Sequence, residues 1–123
     1  MGFQNALTAE IVVRTLLADT GAGTQHSAWH LILTEEDCHL LQIAEATPVN
    51  LGGAFIGTFP TFVVEGTVEG LGESRLCVAV AVPSDELPKN LDGIAGIRLL
   101  NSFRYGNFGD PDRFGLQRLT RTR

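Results

Sequence analysis

The chain has 123 residues, nine of them basic and fourteen acidic, with a formal net charge of −5. That length allows one domain with a modest core and is short for an enzyme that carries two catalytic lobes. Two cysteines, Cys38 and Cys77, are too few for a disulfide framework and lack metal-ligand spacing. The start Met1-Gly2-Phe3-Gln4-Asn5-Ala6 has no basic n-region and no Ser or Thr at the position a myristoylation signal needs. The clearest apolar run, Leu76 to Val82, falls far short of the ~20 residues that span a bilayer. A soluble, cytoplasmic protein without a membrane partner is the expectation.

In chain order, Ile11 to Ala18 reads as a strand whose near-continuous apolar character predicts burial on both faces. It runs into Asp19-Thr20-Gly21-Ala22, followed by Gly23 and Thr24. Ser27 to Leu33 is the next predicted strand, and Thr34-Glu35-Glu36-Asp37 resembles a capping box opening a helix to about Leu41. A glycine-rich stretch, Asn50 to Gly57, precedes a third strand over Phe59 to Val64 with Thr67-Val68. Leu76 to Val82 is the strongest strand and is stopped by Pro83. Turns are expected at Gly52-Gly53, Gly70-Leu71-Gly72 and Tyr105 to Gly109. Leu91 to Leu100 combines Asp92-Gly93, an apolar pair with Gly96, and a helical pattern over Ile97 to Phe103. Many short strands with one or two short helices predict a mostly β chain, a small closed β-barrel of a single domain over residues 1–123.

An acid, a hydroxyl and a glycine at a strand end suit an aspartic peptidase. The carboxylate activates water, the hydroxyl can brace the loop, and glycine lets the backbone turn beside the acid. Asp-Thr-Gly alone is also an ordinary turn sequence. Taken with Ile94-Ala95-Gly96 and the following helical segment, it resembles the retropepsin family of aspartic proteases. Asn50 to Gly57 is similar to that family's flap, and the order Asp loop, flap, apolar-apolar-Gly and helix is the family's order. The tail from Leu100 to Gly109, with Phe114-Gly115-Leu116, resembles bacterial aspartyl-protease-like relatives. Two departures stand out: Ala95 is smaller than the usual residue before that glycine, and Arg98 sits one position later than the retroviral arginine.

The resemblance implies Asp19 as the catalytic acid, supported in its loop by Thr20, Gly21 and Ala22. Leu51, Gly52, Gly53 and Ala54 would form the substrate-covering flap, and Ile94, Ala95 and Gly96 would lie behind the catalytic loop. It also implies a β-barrel that pairs as a homodimer acting on a peptide or protein substrate, with Thr20 hydrogen-bonding across the dimer. Only one Asp-Thr-Gly is present, and Asp92-Gly93 lacks the intervening hydroxyl residue, so Asp92 reads as a turn residue. A second carboxylate must then come from another copy of the chain across a two-fold axis. Such chemistry requires neither metal nor cofactor. The competing reading keeps the fold and drops the chemistry, leaving a dimeric peptide-binding or assembly module.

Other candidate sites are weaker. His26 and His30 share a face and could join Cys38 or His39 at zinc, but no His-Glu-x-x-His pattern is present. Ser27, Cys38 and His39 could supply a nucleophilic dyad, yet no nucleophile elbow surrounds them. Gly21-Ala22-Gly23 lacks the third glycine and the lysine of a phosphate loop. From Arg104 onward there are five basic and two acidic residues, against four and twelve before it. Arg118, Arg121 and Arg123 are too sparse for a nucleic-acid surface, so a solvated tail or a contact with an acidic partner subunit is expected.

Overall fold

The computed structural model describes residues 1–53 and 55–119, so Ala54 of the predicted flap, and Arg121 and Arg123 of the tail, lie outside the described residues. The chain forms β1 (Gly2–Gln4), β2 (Ile11–Val13), β3 (Leu16–Ala18), β4 (Leu31–Thr34), α1 (Glu35–Leu41), β5 (Ala44–Leu51) and β6 (Gly57–Thr67). It continues through β7 (Ser74–Val82), a 3-10 turn (Ser84–Glu86), β8 (Gly93–Ala95), α2 (Ile97–Leu100), β9 (Phe103–Gly106) and β10 (Gly115–Arg118). Eight strands make one curled sheet in the order β2-β1-β6-β7-β4-β8-β3, with β5 folded back on β6. β9 and β10 form a separate antiparallel ribbon. No helix among the described residues is long and apolar enough to cross a membrane.

The chain is mostly β with two short α-helices among the described residues, but the sheet is a curled half-barrel and does not close. β2 pairs with β1 and β3 with β8, and among the described residues neither edge takes a further strand. The reason lies in Ile11 to Ala18, which is not the single doubly buried strand its composition predicts. It breaks at Arg14-Thr15 into two three-residue edge strands, and Ile11, Val13 and Leu17 are exposed. The Arg14 guanidinium leaves the strand path to grip Asp37 of α1 with two hydrogen bonds, of 2.8 and 2.9 Å. Thr15 turns to Asp92 instead, each residue's N–H donating to an oxygen of the other at 2.8 Å.

Central strands carry the core. β4 pairs in parallel with β7, so Leu31 meets Ala79 and Ile32 meets Val80. Their alternating side chains fill two layers. Leu31, Leu33, Cys77, Ala79 and Ala81 pack with Cys38 and Leu41 of α1 and Leu99 and Leu100 of α2. Ile32, Val80, Val82 and Ile94 pack on the other face with Trp29 and Leu87. Strand β7 is therefore buried on both sides from Ala79 to Val82, while Leu76 at the start of its apolar run is exposed.

Boundaries shift where tertiary contacts intervene. The strand expected from Ser27 starts at Leu31, because residues 24–27 form a turn closed by Ser27 N–H on Thr24 O. β6 begins at Gly57, ahead of the expected Phe59, and runs unbroken to Thr67, short of the expected Val68; its buried Thr61 hydroxyl donates to Thr47 O at a bulge in β5. Thr34 caps α1 by accepting from Asp37 N–H, as the capping pattern predicts. α2 ends at Leu100, three residues early, because Phe103 enters the ribbon and is buried.

The Arg14–Asp37 pair ties the broken edge to the first helix, and the Asp37 side chain is only 13% exposed. Removing one partner of a buried pair costs roughly 3–5 kcal/mol, and partial solvation lowers that figure here. Arg14→Met should lower unfolding free energy by about 2 kcal/mol in urea titrations, since Asp37 is left unpaired. An unchanged midpoint would mean that the pair does not hold the edge.

Candidate active site

Asp19 lies one residue beyond β3, where the chain leaves the sheet. Its own N–H donates to Ala95 O of β8 at 2.9 Å, extending the β3–β8 pairing to the acid itself. Its carboxylate Oδ1 accepts from Gly21 N–H at 2.9 Å. Among the described residues the second carboxylate oxygen accepts no hydrogen bond. Ala22 N–H closes the turn on Asp19 O at 3.1 Å, and Ile97 N–H takes Ala22 O at 2.9 Å. The acid is therefore held by backbone from two directions while remaining partly exposed.

Behind this loop runs β8, hydrogen-bonded in parallel to β3 on one side and antiparallel to β4 on the other. Both neighbours approach closely. A Cβ at Gly93 would collide with Ile32 O, and one at Gly96 would stand 3.0 Å from Ala22 O and 2.9 Å from the Trp29 ring. Glycine is needed at both places for this crossing to form. Gly96 N–H donates to His30 O at 3.0 Å, and the Arg98 guanidinium donates to Ser27 O at 2.7 Å. Arg98 thus holds the loop after Asp19 within its own chain.

The flap-like segment is the end of the β5–β6 hairpin. Leu51 pairs with Gly57 and Asn50 with Thr58, whose hydroxyl also donates to Asn50 Oδ1. Gly52 and Gly53 at the tip are exposed. A cleft of about 210 Å³ lies between this tip and the Asp19 loop. It brings Asp19, Gly21 and Ala22 together with Leu51, Gly52, Gly53 and Ile94. Asp19 is the one acid among its described lining residues.

Of the other predicted site residues, Thr20 is exposed at the loop tip, and its hydroxyl has no partner among the described residues. Ala95 and Gly96 are buried behind the cleft. A half-open pocket of about 130 Å³ borders Ala95, Ala18 and Leu16. Trp29 and Ile32 also form the wall of the Asp19 cleft and were not expected there, and Gly23 and Phe55, known only as a neighbour of the acid loop and as part of the flap stretch, line it too. The single tryptophan, ten residues after the acid, and an aromatic inside the flap segment were the available signals.

The remaining candidates separate in space. Asp92 is engaged with Thr15 and does not line the cleft. Cys38 and Cys77 are buried, and burial pushes their thiols up to about 12 and about 11. No group of three His, Cys, Asp or Glu side chains among the described residues could hold a metal ion. Arg118 is no free tail residue, since Nε donates to Leu71 O at 2.8 Å.

His30 stands directly behind the site. Its Nδ1 accepts from Val78 N–H at 2.9 Å, which requires an unprotonated nitrogen. Burial, then the charges of Arg98 and Arg75, hold its pKa below the ordinary 6.5. The unfolded chain therefore takes up this proton first. The His30 contribution is full above the ordinary histidine range and is lost as pH falls through it. Urea midpoints at pH 7.5 and 5.5 should show a drop that His30→Gln reduces; an equal drop in both proteins would contradict this account.

Comparison with protein-family models, with curated proteins and with solved structures returned no match for this chain.

Proposed function

We propose that the protein is an aspartic endopeptidase of retropepsin type, acting as a homodimer in which two Asp19 carboxylates share one site. The observation that carries this reading is the cleft joining the backbone-held Asp19 to the glycine tip of the β5–β6 hairpin. An acid with one oxygen fixed by Gly21 N–H and the other uncommitted suits proton exchange with a bound water. One acid per cleft supports the need for a second copy. Leu17 beside the acid is 42% exposed and Ile56 at the flap is 84% exposed, apolar surface that a partner or substrate would cover.

The chemistry follows from two like charges at close range. Carboxylates about 3 Å apart cannot both ionise, so they hold one proton and titrate as a coupled pair. The ionised member removes a proton from water as it attacks the scissile carbonyl. The protonated member donates to the carbonyl oxygen, and a later proton transfer releases the amine. Thr20, exposed at the loop tip, would bond across the two-fold axis. The flap hairpin would fold over an extended peptide and exclude water. No cofactor takes part.

Assembly is tested first. Sedimentation at micromolar concentration should show a dimer, and specific activity should fall on dilution as the dimer dissociates. A monomer with full activity would end the shared-site reading.

Asp19→Asn keeps the shape of the side chain and removes both the acid and the repulsion between facing carboxylates. It should remain folded and dimeric, with peptide-library cleavage down at least about a thousandfold, since no proton acceptor is left at the site. Wild-type activity should follow a bell-shaped pH profile, lost when the pair is doubly protonated and again when it is stripped of its shared proton. Cleavage by Asp19→Asn at the wild-type rate would make Asp19 a turn residue. A folded wild type that binds peptides at the cleft but cleaves none would leave the assembly-module reading.

A further inference from the structure

A second cavity, of about 490 Å³, opens where β7, the ribbon β9–β10 and the turn before β7 meet. It shares no lining residue with the Asp19 cleft. Arg75, Arg118, Glu73 and Ser102 supply its polar lining, while Leu71 and Phe103 supply apolar wall. Arg75 follows the same alternation along β7 as buried Cys77 and Ala79, so it lies on the core-facing side of the sheet. Its guanidinium carbon stands 4.3 Å from the Phe103 ring centroid, a cation–π contact, and its side-chain N–H groups donate to no acceptor among the described residues.

Arg118 is positioned as firmly. Its Nε and Nη2 both donate to Leu71 O. Gly72 in the same turn has φ +74° and lies against this guanidinium, where a Cβ would stand 2.8 Å from Nη2. Nη1 keeps its protons uncommitted among the described residues. Neither arginine forms an ion pair with a carboxylate among the described residues. Ser74 O–H donates to Glu65, the acid on the facing strand. Among the described lining residues Glu73 alone brings negative charge, so these residues carry a net charge of +1.

We propose that this cavity binds a monoanionic carboxylate with an apolar body, gripped by Arg75 and Arg118. Two pre-oriented guanidinium groups match the two oxygens of a carboxylate. The net single positive charge of the described lining fits a monoanion, and Leu71, Phe103 and Leu119 are the apolar residues of the same lining. A free organic acid and the C-terminus of a peptide ending in an apolar residue present the same chemistry. This site is independent of the peptidase reading, and Asp19→Asn should leave it unchanged.

The test uses the full chain with 3-phenylpropionate and its amide, and with Ala-Ala-Phe carrying a free or an amidated C-terminus. Calorimetry reads affinity, and backbone amide shifts over Leu71 to Arg75 report the location. Each acid that binds should do so about tenfold or more tightly than its amide, because the charge-assisted bonds are lost in the amide. Binding of the free acid alone, of the peptide alone, or of both supports the site and identifies the source of the carboxylate. Arg75→Gln should weaken binding about tenfold, and Glu73→Gln should strengthen it several-fold by removing the opposing charge. Arg118→Gln also releases the turn, so the other two variants decide. Equal affinity for acids and amides, no binding of either acid at millimolar concentration, or weaker binding by Glu73→Gln would overturn the proposal.

Discussion

The crossing of β8 between β3 and β4 is the constraint on which the rest of the structure depends. Three residues, Gly93 to Ala95, satisfy backbone groups on both sides, parallel to one neighbour and antiparallel to the other. Buried backbone groups left unpaired cost free energy comparable to a lost hydrogen bond, so this short strand cannot shift register cheaply. Its carbonyl at Ala95 receives the N–H of Asp19, and the next two N–H groups hold His30 O and Ala22 O. The position of the acid is thus an extension of sheet pairing. The Cβ-free positions at Gly93 and Gly96 are what let three chain segments meet there.

Arginines do much of the remaining positioning, and in most cases without acids. Arg14 takes Asp37, but Arg98 and Arg118 take backbone carbonyls and Arg75 takes an aromatic face. A guanidinium suits this because its planar fork delivers several donors at once and is weakly hydrated. Most of the chain's acids lie instead at exposed or half-exposed positions, where water solvates them. Arg14, Arg75, Arg98 and Arg118 sit at joints between elements, whereas Lys89, Arg104 and Arg113 are exposed.

Strand β7, helix α1 and the turns at Gly52-Gly53 and Gly70-Leu71-Gly72 were legible in the sequence. Their signals are local: an unbroken apolar run ended by proline, a capping pattern, and glycines between strands. The apolar, glycine-ended segment at Gly93–Gly96 and the hairpin before Gly57 were also visible as residues. That they converge with Asp19 on one cleft is a tertiary fact. Spacing along the chain does not report distance across a sheet whose neighbours are 76 and 64 residues apart in sequence, as Asp19 with Ala95 and Leu31 with Ala95 are.

By itself the sequence determined the β-rich class, the strongest core strand and the place of the candidate acid after a strand, because each rests on composition or on short-range pattern. Only the tertiary structure decided that Ile11 to Ala18 would break into two exposed edges. Apolar residues report that burial is favourable, not which partner supplies it, and here Arg14 and Thr15 found better partners off the strand path. Closure of the barrel failed at that same break, since an edge of three residues leaves little backbone to pair. Trp29, Ile32 and Phe55 likewise became walls of a cleft only when β4, the loop before it and the β5–β6 hairpin were packed around Asp19. A side chain's chemistry is written in the chain, but its neighbours are set by the sheet register that brings distant segments together.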